Sequence, residues 1–264
     1  MAECMKTLYC MGDSYTDPNY YSKDYSKGLT TSWPEIMRDQ LPGKWKLINN
    51  AESGVGNNYI LRDFFNYIGT HKKPDLVCIA WSNSARLSFT DHPSKKAVSK
   101  ELCFDPVSHY LATNYVEKYK KKIMFNPAIV LGQWIHDTNS YKEYINKTLN
   151  DWVTNIFIIQ SYCESHNIDY IFTQAIYPIA IGNEEDIEPR LESVTHNFAS
   201  QPLALEINPD NFIGWPALGS IGGSTLNSKL LKHNDLMFGP LDDHPNEKGH
   251  AFIADIFLKR YSDV

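Results

Sequence analysis

The feature that most constrains the fold of this sequence is a short run, Leu76–Trp81, in which every side chain is apolar. A strand with one exposed face alternates apolar and polar residues, whereas a parallel strand covered on both faces is almost continuously apolar. Similar runs, each followed by polar residues, occur at Thr7–Met11, Lys46–Asn49 and Ile168–Pro178. The sequence therefore predicts a buried parallel sheet to which these runs contribute strands.

Helical patterns separate the predicted strands. The segment Trp33–Leu41 has apolar residues at helical spacing, with Ser32 as a start signal and Pro42-Gly43 as a stop. Further helical stripes occur within residues 57–71 and 141–167, and near the C-terminus within 245–261. Alternating strands and helices are typical of an α/β fold with helices on both faces of the sheet and right-handed crossovers.

Two long stretches, at about residues 84–139 and 177–238, interrupt this alternation with scattered Pro, Gly and aromatic residues. Long connections of this kind are usually functional, so we expect them to form rims or lids over a site. The sequence contains no internal repeat, low-complexity tract or linker, which predicts a single domain over residues 1–264.

Composition excludes several classes of function. The net charge of −6 and the pI near 5.8 are unlike the basic excess of a nucleic-acid-binding domain. The five cysteines show no CxxC spacing and the histidines show no metal-ligand pair, so we expect no metal and no cofactor. No apolar run is long enough for a membrane span, and the first residues leave no room for a signal peptide. We therefore expect a cytoplasmic location or one that the sequence does not specify.

Polar clusters follow three of the predicted strands: Gly12-Asp13-Ser14, the segment Asn49–Asn58, and Ser82-Asn83-Ser84. A fourth cluster, Asp242-Asp243-His244, precedes the last predicted helix. The carboxyl ends of parallel strands lie at one edge of a sheet, where ligand sites of open α/β folds form. We therefore expect these clusters to contribute to one site.

Together the clusters contain the groups that acyl transfer from an ester requires. Ser14 would be the nucleophile and His244 the base that takes its proton. A tetrahedral intermediate carries an oxyanion that needs fixed donors. The candidate donors are the backbone N–H groups of Ser14 and Gly54 and the side-chain amide of Asn83.

On these residues the chain resembles the SGNH/GDSL hydrolases, a family of esterases, lipases and carbohydrate or cell-wall deacetylases. The first family block matches Gly12-Asp13-Ser14, the second matches the segment ending at Gly54, and the last matches Asp242–Pro245. The resemblance implies a three-layer αβα sandwich with a flavodoxin-like parallel sheet of about five strands. It also implies Ser14 as nucleophile, Gly54 in the oxyanion hole and His244 as base.

The third block departs from the family pattern Gly-x-Asn-Asp, because Trp81 and Ser84 occupy its glycine and aspartate positions. Asn83 falls on the asparagine, and a register shifted by one residue would place Ser82 there instead. We favour Asn83, since an amide is the better oxyanion donor.

The acid of the predicted triad is also open to two assignments. Leu241 stands where many family members have the acid, three residues before the histidine, so the candidates are Asp242 and Asp243. We predict Asp242 as the acid, with Asp243 exposed. We also expect Pro245 to open the last helix and so to hold His244 at its N-cap side.

Three other polar residues receive structural predictions. Asp13 is expected to bond backbone groups of its own turn. Arg86 is expected to lock the first insertion in place, with the binding of an anionic substrate as the alternative. His250, in the last helix, is expected to be structural.

The sequence thus predicts a serine ester hydrolase that removes small acyl groups, most plausibly acetyl, from a small molecule or a polysaccharide. The carbohydrate part rests on family analogy and on aromatic residues in the insertions, Trp134 and Trp215, which could stack on sugar rings. The alternative is a non-catalytic carbohydrate-binding or assembly module that retains the fold. A flavodoxin-like nucleotide binder is disfavoured because no glycine-rich phosphate loop follows the first strand.

Overall fold

The computed structural model describes residues 5–89, 102–104, 141–178 and 196–263. Its centre is a parallel sheet of five strands with the order β2-β1-β3-β4-β5. The strands are β1 (Lys6–Gly12), β2 (Trp45–Asn49), β3 (Leu76–Trp81), β4 (Asp169–Gln174) and β5 (Phe212–Ile213). This is the flavodoxin-like strand order, as the sequence predicted.

Helices cover both faces of the sheet. They are α1 (Trp33–Gln40), α2 (Asn57–Thr70), α3 (Tyr141–Ser165), α4 (Pro202–Leu205), α5 (Leu226–Leu230) and α6 (Glu247–Asp263). Helices α1 and α6 pack on one face and α2 and α3 on the other. Two antiparallel hairpins lie outside the sheet: Tyr21–Ser22 pairs with Lys27–Gly28, and Met237–Gly239 pairs with Asp242–Pro245. The short strands Leu87–Phe89 and Leu102–Phe104 also pair.

Strand β3 is continuously apolar because helices cover both of its faces. Leu76, Cys78 and Ala80 point into the core beneath α1 and α6, whereas Val77, Ile79 and Trp81 point into the core beneath α2 and α3. All six side chains are fully buried. Both sets of positions must therefore be apolar, which removes the usual alternation.

The second predicted insertion takes part in the sheet. Its residues 212–213 form β5, which pairs in parallel with β4 through Phe172 and Thr173. A strand of two residues has no recognisable apolar run, and so the sequence located four strands individually and not the fifth. Of the first predicted insertion, residues 90–101 and 105–139 lie outside the described residues, as do residues 179–195 of the second.

Three buried cysteines and the long helices that bear on a membrane span lie among the described residues. Cys10, Cys78 and Cys163 are buried free thiols, as expected for cysteines that act as small apolar residues. Among the helices described, none has the length and apolarity needed to span a bilayer.

His250 lies in the interface between α6 and α1. It is fully buried, and its Nδ1 accepts the backbone N–H of Trp33 at 3.2 Å. Burial, with a smaller contribution from the charge of nearby His244, lowers the pKa of His250 to about 4. A neutral, buried ring that fixes a helix start agrees with the structural role predicted for it.

The lowered pKa of His250 predicts an acid-dependent loss of stability. The unfolded side chain takes up a proton near pH 6.5 and the folded one only near pH 4, so protons favour the unfolded state between these values. This contribution to the free energy of unfolding is complete above pH 6.5 and falls by about 3 kcal/mol on acidification to pH 4. Denaturant unfolding should show a smaller loss over this range in His250→Asn, which keeps an acceptor near Nδ1. Parallel stability curves would contradict the prediction.

Candidate active site

The Gly-Asp-Ser turn at the end of β1 is held by its own backbone. The carbonyl of Asp13 accepts the N–H groups of Thr16 and Asp17 at 2.9 and 3.0 Å, and Asp13 Oδ1 accepts the N–H of Tyr15 at 3.1 Å. A Cβ at Gly12 would lie 2.9 Å from the Ala80 carbonyl oxygen and against Thr16 Oγ1. The glycine is therefore required by close packing, and the turn presents Ser14 at the strand end.

The side chain of Asp13 connects this turn to the end of β3. Its Oδ2 accepts the hydroxyl of Ser82 at 2.8 Å and Nη1 of Arg86 at 3.1 Å. The same guanidinium nitrogen donates to the carbonyl of Val55 at 3.2 Å. Arg86 thus joins three polar loops, and the buried charge of Asp13 has a cationic partner. Whether Arg86 also locks the first insertion stays a prediction, because most of that insertion lies outside the described residues.

The side chains of Ser14, His244 and Asp242 form one hydrogen-bonded chain. Ser14 Oγ lies 2.8 Å from His244 Nε2, and His244 Nδ1 lies 2.7 Å from Asp242 Oδ1. An ionised carboxylate only accepts hydrogen bonds, so Nδ1 must carry the ring proton. The unprotonated Nε2 then faces the hydroxyl of Ser14, which is the arrangement a general base requires.

Asp242 is well suited to remain ionised. Partial burial acts to raise its pKa. Hydrogen bonds to the carboxylate lower the pKa by more, and they come from the Ser22 hydroxyl, the backbone N–H and ring of His244, and the Tyr20 hydroxyl. The pKa of Asp242 therefore lies below the usual value. The backbone N–H of His244 donates to Asp242 Oδ1 at 3.1 Å. Asp242 therefore carries a negative charge beside the ring at neutral pH.

Asp243 is placed differently. Its carboxylate is 64% exposed and lies 3.8 Å from His244 Nδ1, whereas the Asp242 side chain is 5% exposed. The backbone carbonyl of Asp243 accepts the hydroxyl of Tyr15 at 2.9 Å. Between the two predicted candidates, the structure brings Asp242 to the ring and leaves Asp243 toward solvent.

The sequence predicted that the last helix begins at Pro245, and this prediction is wrong. Pro245 pairs with Met237 in the hairpin that carries His244, and α6 begins at Glu247. Asn246 caps it, since its Oδ1 accepts the N–H groups of Lys248 and Gly249 at 2.9 and 3.1 Å. The missed signal was this asparagine, which is among the preferred N-cap residues.

The loop that carries Gly54 lies beside the Gly-Asp-Ser turn. Glu52 N–H donates to the carbonyl of Gly12 at 3.3 Å, and Asp17 Oδ2 accepts both the N–H and the hydroxyl of Ser53 at 2.9 and 2.6 Å. Gly54 itself has φ of +86°, which favours glycine. Within the part of the chain that the structure describes, the N–H groups of Ser14 and Gly54 donate no hydrogen bond, so both are available to a bound anion.

The two candidates for the side-chain oxyanion donor have different environments. The hydroxyl of Ser82 is buried and donates to Asp13. Asn83 is half-buried, and its Oδ1 accepts the N–H of Ala85 at 2.7 Å. The hydroxyl at position 82 is thus engaged by Asp13, and the assignment of the donor to Asn83 stays a prediction.

An open groove of about 610 Å³ lies beside the His244 ring. One wall is formed by Tyr20 and by the hairpin residues Tyr21, Lys23 and Asp24, and the segments Glu52–Ser53 and Leu241–His244 form others. The lining residues include five carboxylates and one lysine. Substrate entering here would meet an acidic, aromatic surface next to the histidine.

The fold was compared with known proteins. No family model and no curated protein matches the sequence. Among solved structures, the psychrotrophic esterase EstA from Pseudoalteromonas sp. superimposes with a TM-score of 0.51 at 13% identity, over 98% of this chain and 97% of that chain. The lipase Lip_vut3 from a goat rumen metagenome gives 0.49 at 12% identity, over 97% of each chain. A lipolytic G-D-S-L family protein from Veillonella parvula gives 0.43 at 13%, over 99% and 100%.

This chain shares the fold of EstA, a parallel sheet between two layers of helices. In this fold the four polar clusters noted in the sequence meet at the carboxyl edge of the sheet. Ser14, Asp242 and His244 are in direct contact, and the turns of Gly54 and Asn83 are joined to the Gly-Asp-Ser turn through Glu52 and Arg86.

The aromatic residues around the site differ from the sequence expectation. Trp215 is half-buried, because it packs on Trp152 and Phe212 at ring-centroid distances of 5.7 and 4.9 Å. Trp134 lies outside the described residues. The aromatic residues beside His244 are instead Tyr15 and Tyr20. No sequence pattern distinguishes these two tyrosines from ordinary loop residues.

One group of described side chains could hold a metal ion: the carboxylates of Asp242 and Asp243 with the His244 ring. Both ring nitrogens of His244 already have partners, Asp242 at Nδ1 and Ser14 at Nε2. We therefore interpret this group as part of the Ser-His-Asp chain.

Proposed function

We propose that this protein is a carboxylic-ester hydrolase with Ser14 as its nucleophile. The observation that carries the proposal is the continuous chain from Ser14 Oγ through the His244 ring to Asp242, with distances of 2.8 and 2.7 Å. A turn serine or a capping histidine would not need this alignment. The chain is the arrangement that activates a hydroxyl for acyl transfer.

The geometry supports a two-step reaction. Ser14 Oγ attacks the ester carbonyl while its proton moves to His244 Nε2, and the tetrahedral intermediate places its oxyanion near the N–H groups of Ser14 and Gly54 and the amide of Asn83. His244 then gives the proton to the departing alkoxide, which leaves an acyl group on Ser14. Water attacks this acyl-enzyme with His244 as base, and the acid and free serine are released.

The groove beside His244 favours a polar alcohol over a long apolar chain. Among the described residues that line it, Leu241 is the one aliphatic side chain and is 75% exposed. A long acyl chain would need an apolar wall. The excess of carboxylates disfavours anionic alcohols, whereas Tyr21, Asn19 and Asp24 offer the ring face and acceptors that sugar hydroxyl groups use. We therefore propose acetyl or another small acyl group on an uncharged alcohol, such as a carbohydrate.

A fluorophosphonate probe tests the proposal directly, because it forms a covalent bond with an activated serine without a natural substrate. Peptide mapping should find the label on Ser14, and Ser14→Ala should remain unlabelled. The similar esterase EstA was itself solved in a form inhibited by monoethylphosphonate. If a control esterase is labelled and this protein is not, the non-catalytic binding module becomes the better interpretation.

Asn83→Ala should lower kcat for a short-chain aryl acetate by roughly 10²–10³, with little change in KM, because one oxyanion donor is lost mainly in the transition state. The check is to measure the steady-state kinetics of Asn83→Ala and Ser82→Ala with the same substrate. If Ser82→Ala shows this loss in a folded protein and Asn83→Ala does not, the donor lies one residue earlier.

A further inference from the structure

The carboxylate of Asp242 has a second side-chain donor besides the histidine ring. Tyr20 Oη lies 3.0 Å from Asp242 Oδ1 and 3.0 Å from Oδ2. It also lies 2.9 Å from His244 Nδ1. The phenol is therefore in contact with both members of the His-Asp pair, on the side away from Ser14.

The direction of these hydrogen bonds follows from the available protons. His244 Nδ1 donates its proton to Asp242, so it has no lone pair with which to accept one from Tyr20. The phenol proton must then go to the carboxylate. Burial and the neighbouring carboxylates, with Asp242 foremost among these, raise the pKa of Tyr20 above its usual value, so the phenol stays protonated and remains a donor. The imidazole N–H and the phenol thus compete as donors to Asp242.

Packing fixes Tyr20 in this position. Its ring stacks on the His244 ring at a centroid distance of 4.2 Å and an interplanar angle of 22°, and its other neighbour is Phe238 at 5.9 Å. The hairpin that follows Tyr20 is tied to the histidine hairpin, because Tyr25 Oη accepts the N–H of Leu241 at 3.2 Å. The ring also lines the groove, and so it stands between the His-Asp pair and solvent.

The hydroxyl of Ser22 also acts on Asp242, but of the described groups near the ring, Tyr15, the Asp243 carboxylate and His250 do not contact both members of the His-Asp pair. Tyr15, whose ring centroid is 5.4 Å from that of His244, donates its hydroxyl to Asn227 Oδ1 and the Asp243 backbone. The Asp243 carboxylate is mostly exposed. From α6, buried His250 bonds the backbone of Trp33.

We propose that Tyr20 is a positioning residue for the hydrolysis: its hydroxyl orients the Asp242 carboxylate, and its ring holds the His244 imidazole in the plane that faces Ser14. The inference rests on the proposed function, since it assigns a role within the same reaction. It adds a fourth residue to the Ser-His-Asp chain, supplied by the segment that also carries the nucleophile. Tyr20 is not expected to touch the reacting atoms.

The test compares Tyr20→Phe with Tyr170→Phe. The Phe at position 20 keeps the stacked ring and removes the hydroxyl. Tyr170→Phe also removes a phenol that donates to a carboxylate, Glu164 Oε1 at 2.6 Å, but Tyr170 lies in β4 and is not among the described residues that line the groove. Tyr20→Phe should lower kcat for an aryl acetate about 10-fold with KM changed less than about 2-fold, because the lost hydrogen bond acts on the His-Asp pair rather than on substrate. Tyr170→Phe should leave kcat within about 2-fold.

A spectroscopic measurement separates this inference from the proposed function. The proton between His244 Nδ1 and Asp242 should give a downfield NMR resonance, assigned by its loss in His244→Gln. In Tyr20→Phe it should move further downfield, because the carboxylate has lost a competing donor, and in Tyr170→Phe it should not move. An unchanged resonance together with unchanged kcat would overturn the role of Tyr20. If Ser14 is not labelled by the fluorophosphonate, the proposed function fails, and the resonance still decides whether Tyr20 orients Asp242.

Discussion

Ser14→Ala is expected to reduce the hydrolysis of a short-chain aryl acetate by on the order of 10⁴–10⁶, since loss of a triad nucleophile typically has an effect of this size. The physical reason is that His244 Nε2, 2.8 Å from Ser14 Oγ, would face a methyl group that cannot attack a carbonyl. Binding in the groove should persist, because Ser14 is not among the described residues that line it.

The control for this variant is its folded state. Ser14 occupies a tight turn whose hydrogen bonds run through the backbone and Asp13, and so the thermal unfolding curve of Ser14→Ala should stay close to that of the wild type. Ser262→Ala, at the exposed end of α6, should retain full activity. More than a tenth of the wild-type rate in purified Ser14→Ala would contradict the nucleophile assignment.

Asp242→Asn should produce the second largest loss, a fall in kcat on the order of 10²–10⁴. An amide in this place can donate to Nδ1 as well as accept from it, so it allows the tautomer whose Nε2 proton faces Ser14. It also removes the negative charge that stabilises the imidazolium formed during attack. Because the pKa of Asp242 lies below its usual value, the wild-type carboxylate should remain ionised across an assay range of pH 5 to 9.

Asp243→Asn is the matched comparison, since it makes the same chemical change one residue away. Its carboxylate is mostly exposed and 3.8 Å from the ring, and exposed pairs contribute little, so kcat should change less than about 3-fold. Both variants should be measured across the same pH range. A large loss in Asp243→Asn beside a nearly normal Asp242→Asn would exchange their roles.

Much of the fold follows from local sequence because each central strand is buried on both faces. The run Leu76–Trp81 needed no partner to be recognised, and its polar successor, Ser82-Asn83, then had to lie at the carboxyl edge of the sheet. The order of the polar clusters was therefore enough to predict that Ser14 and His244 belong to one site.

The parts that sequence did not reveal depend on distant contacts. Strand β5 is two residues long and is a strand only because it pairs with β4. Pro245 suggested a helix start, but pairing with Met237 extends the hairpin through it. Tyr20 bonds Asp242 across 222 residues, and no periodicity or local motif encodes such a contact.

The same separation has a consequence for how the protein folds. The Ser14–His244 contact closes a loop of 230 residues, among the least local pairings that a chain of this size can make. Long-range contacts form slowly, because the chain loses the entropy of closing a long loop before the contact can stabilise it. The sheet can assemble before the interface between α1 and α6 forms, where Trp33 stacks on Phe257 at 4.3 Å. During refolding, reactivity of Ser14 should therefore appear after strand pairing, when that interface forms.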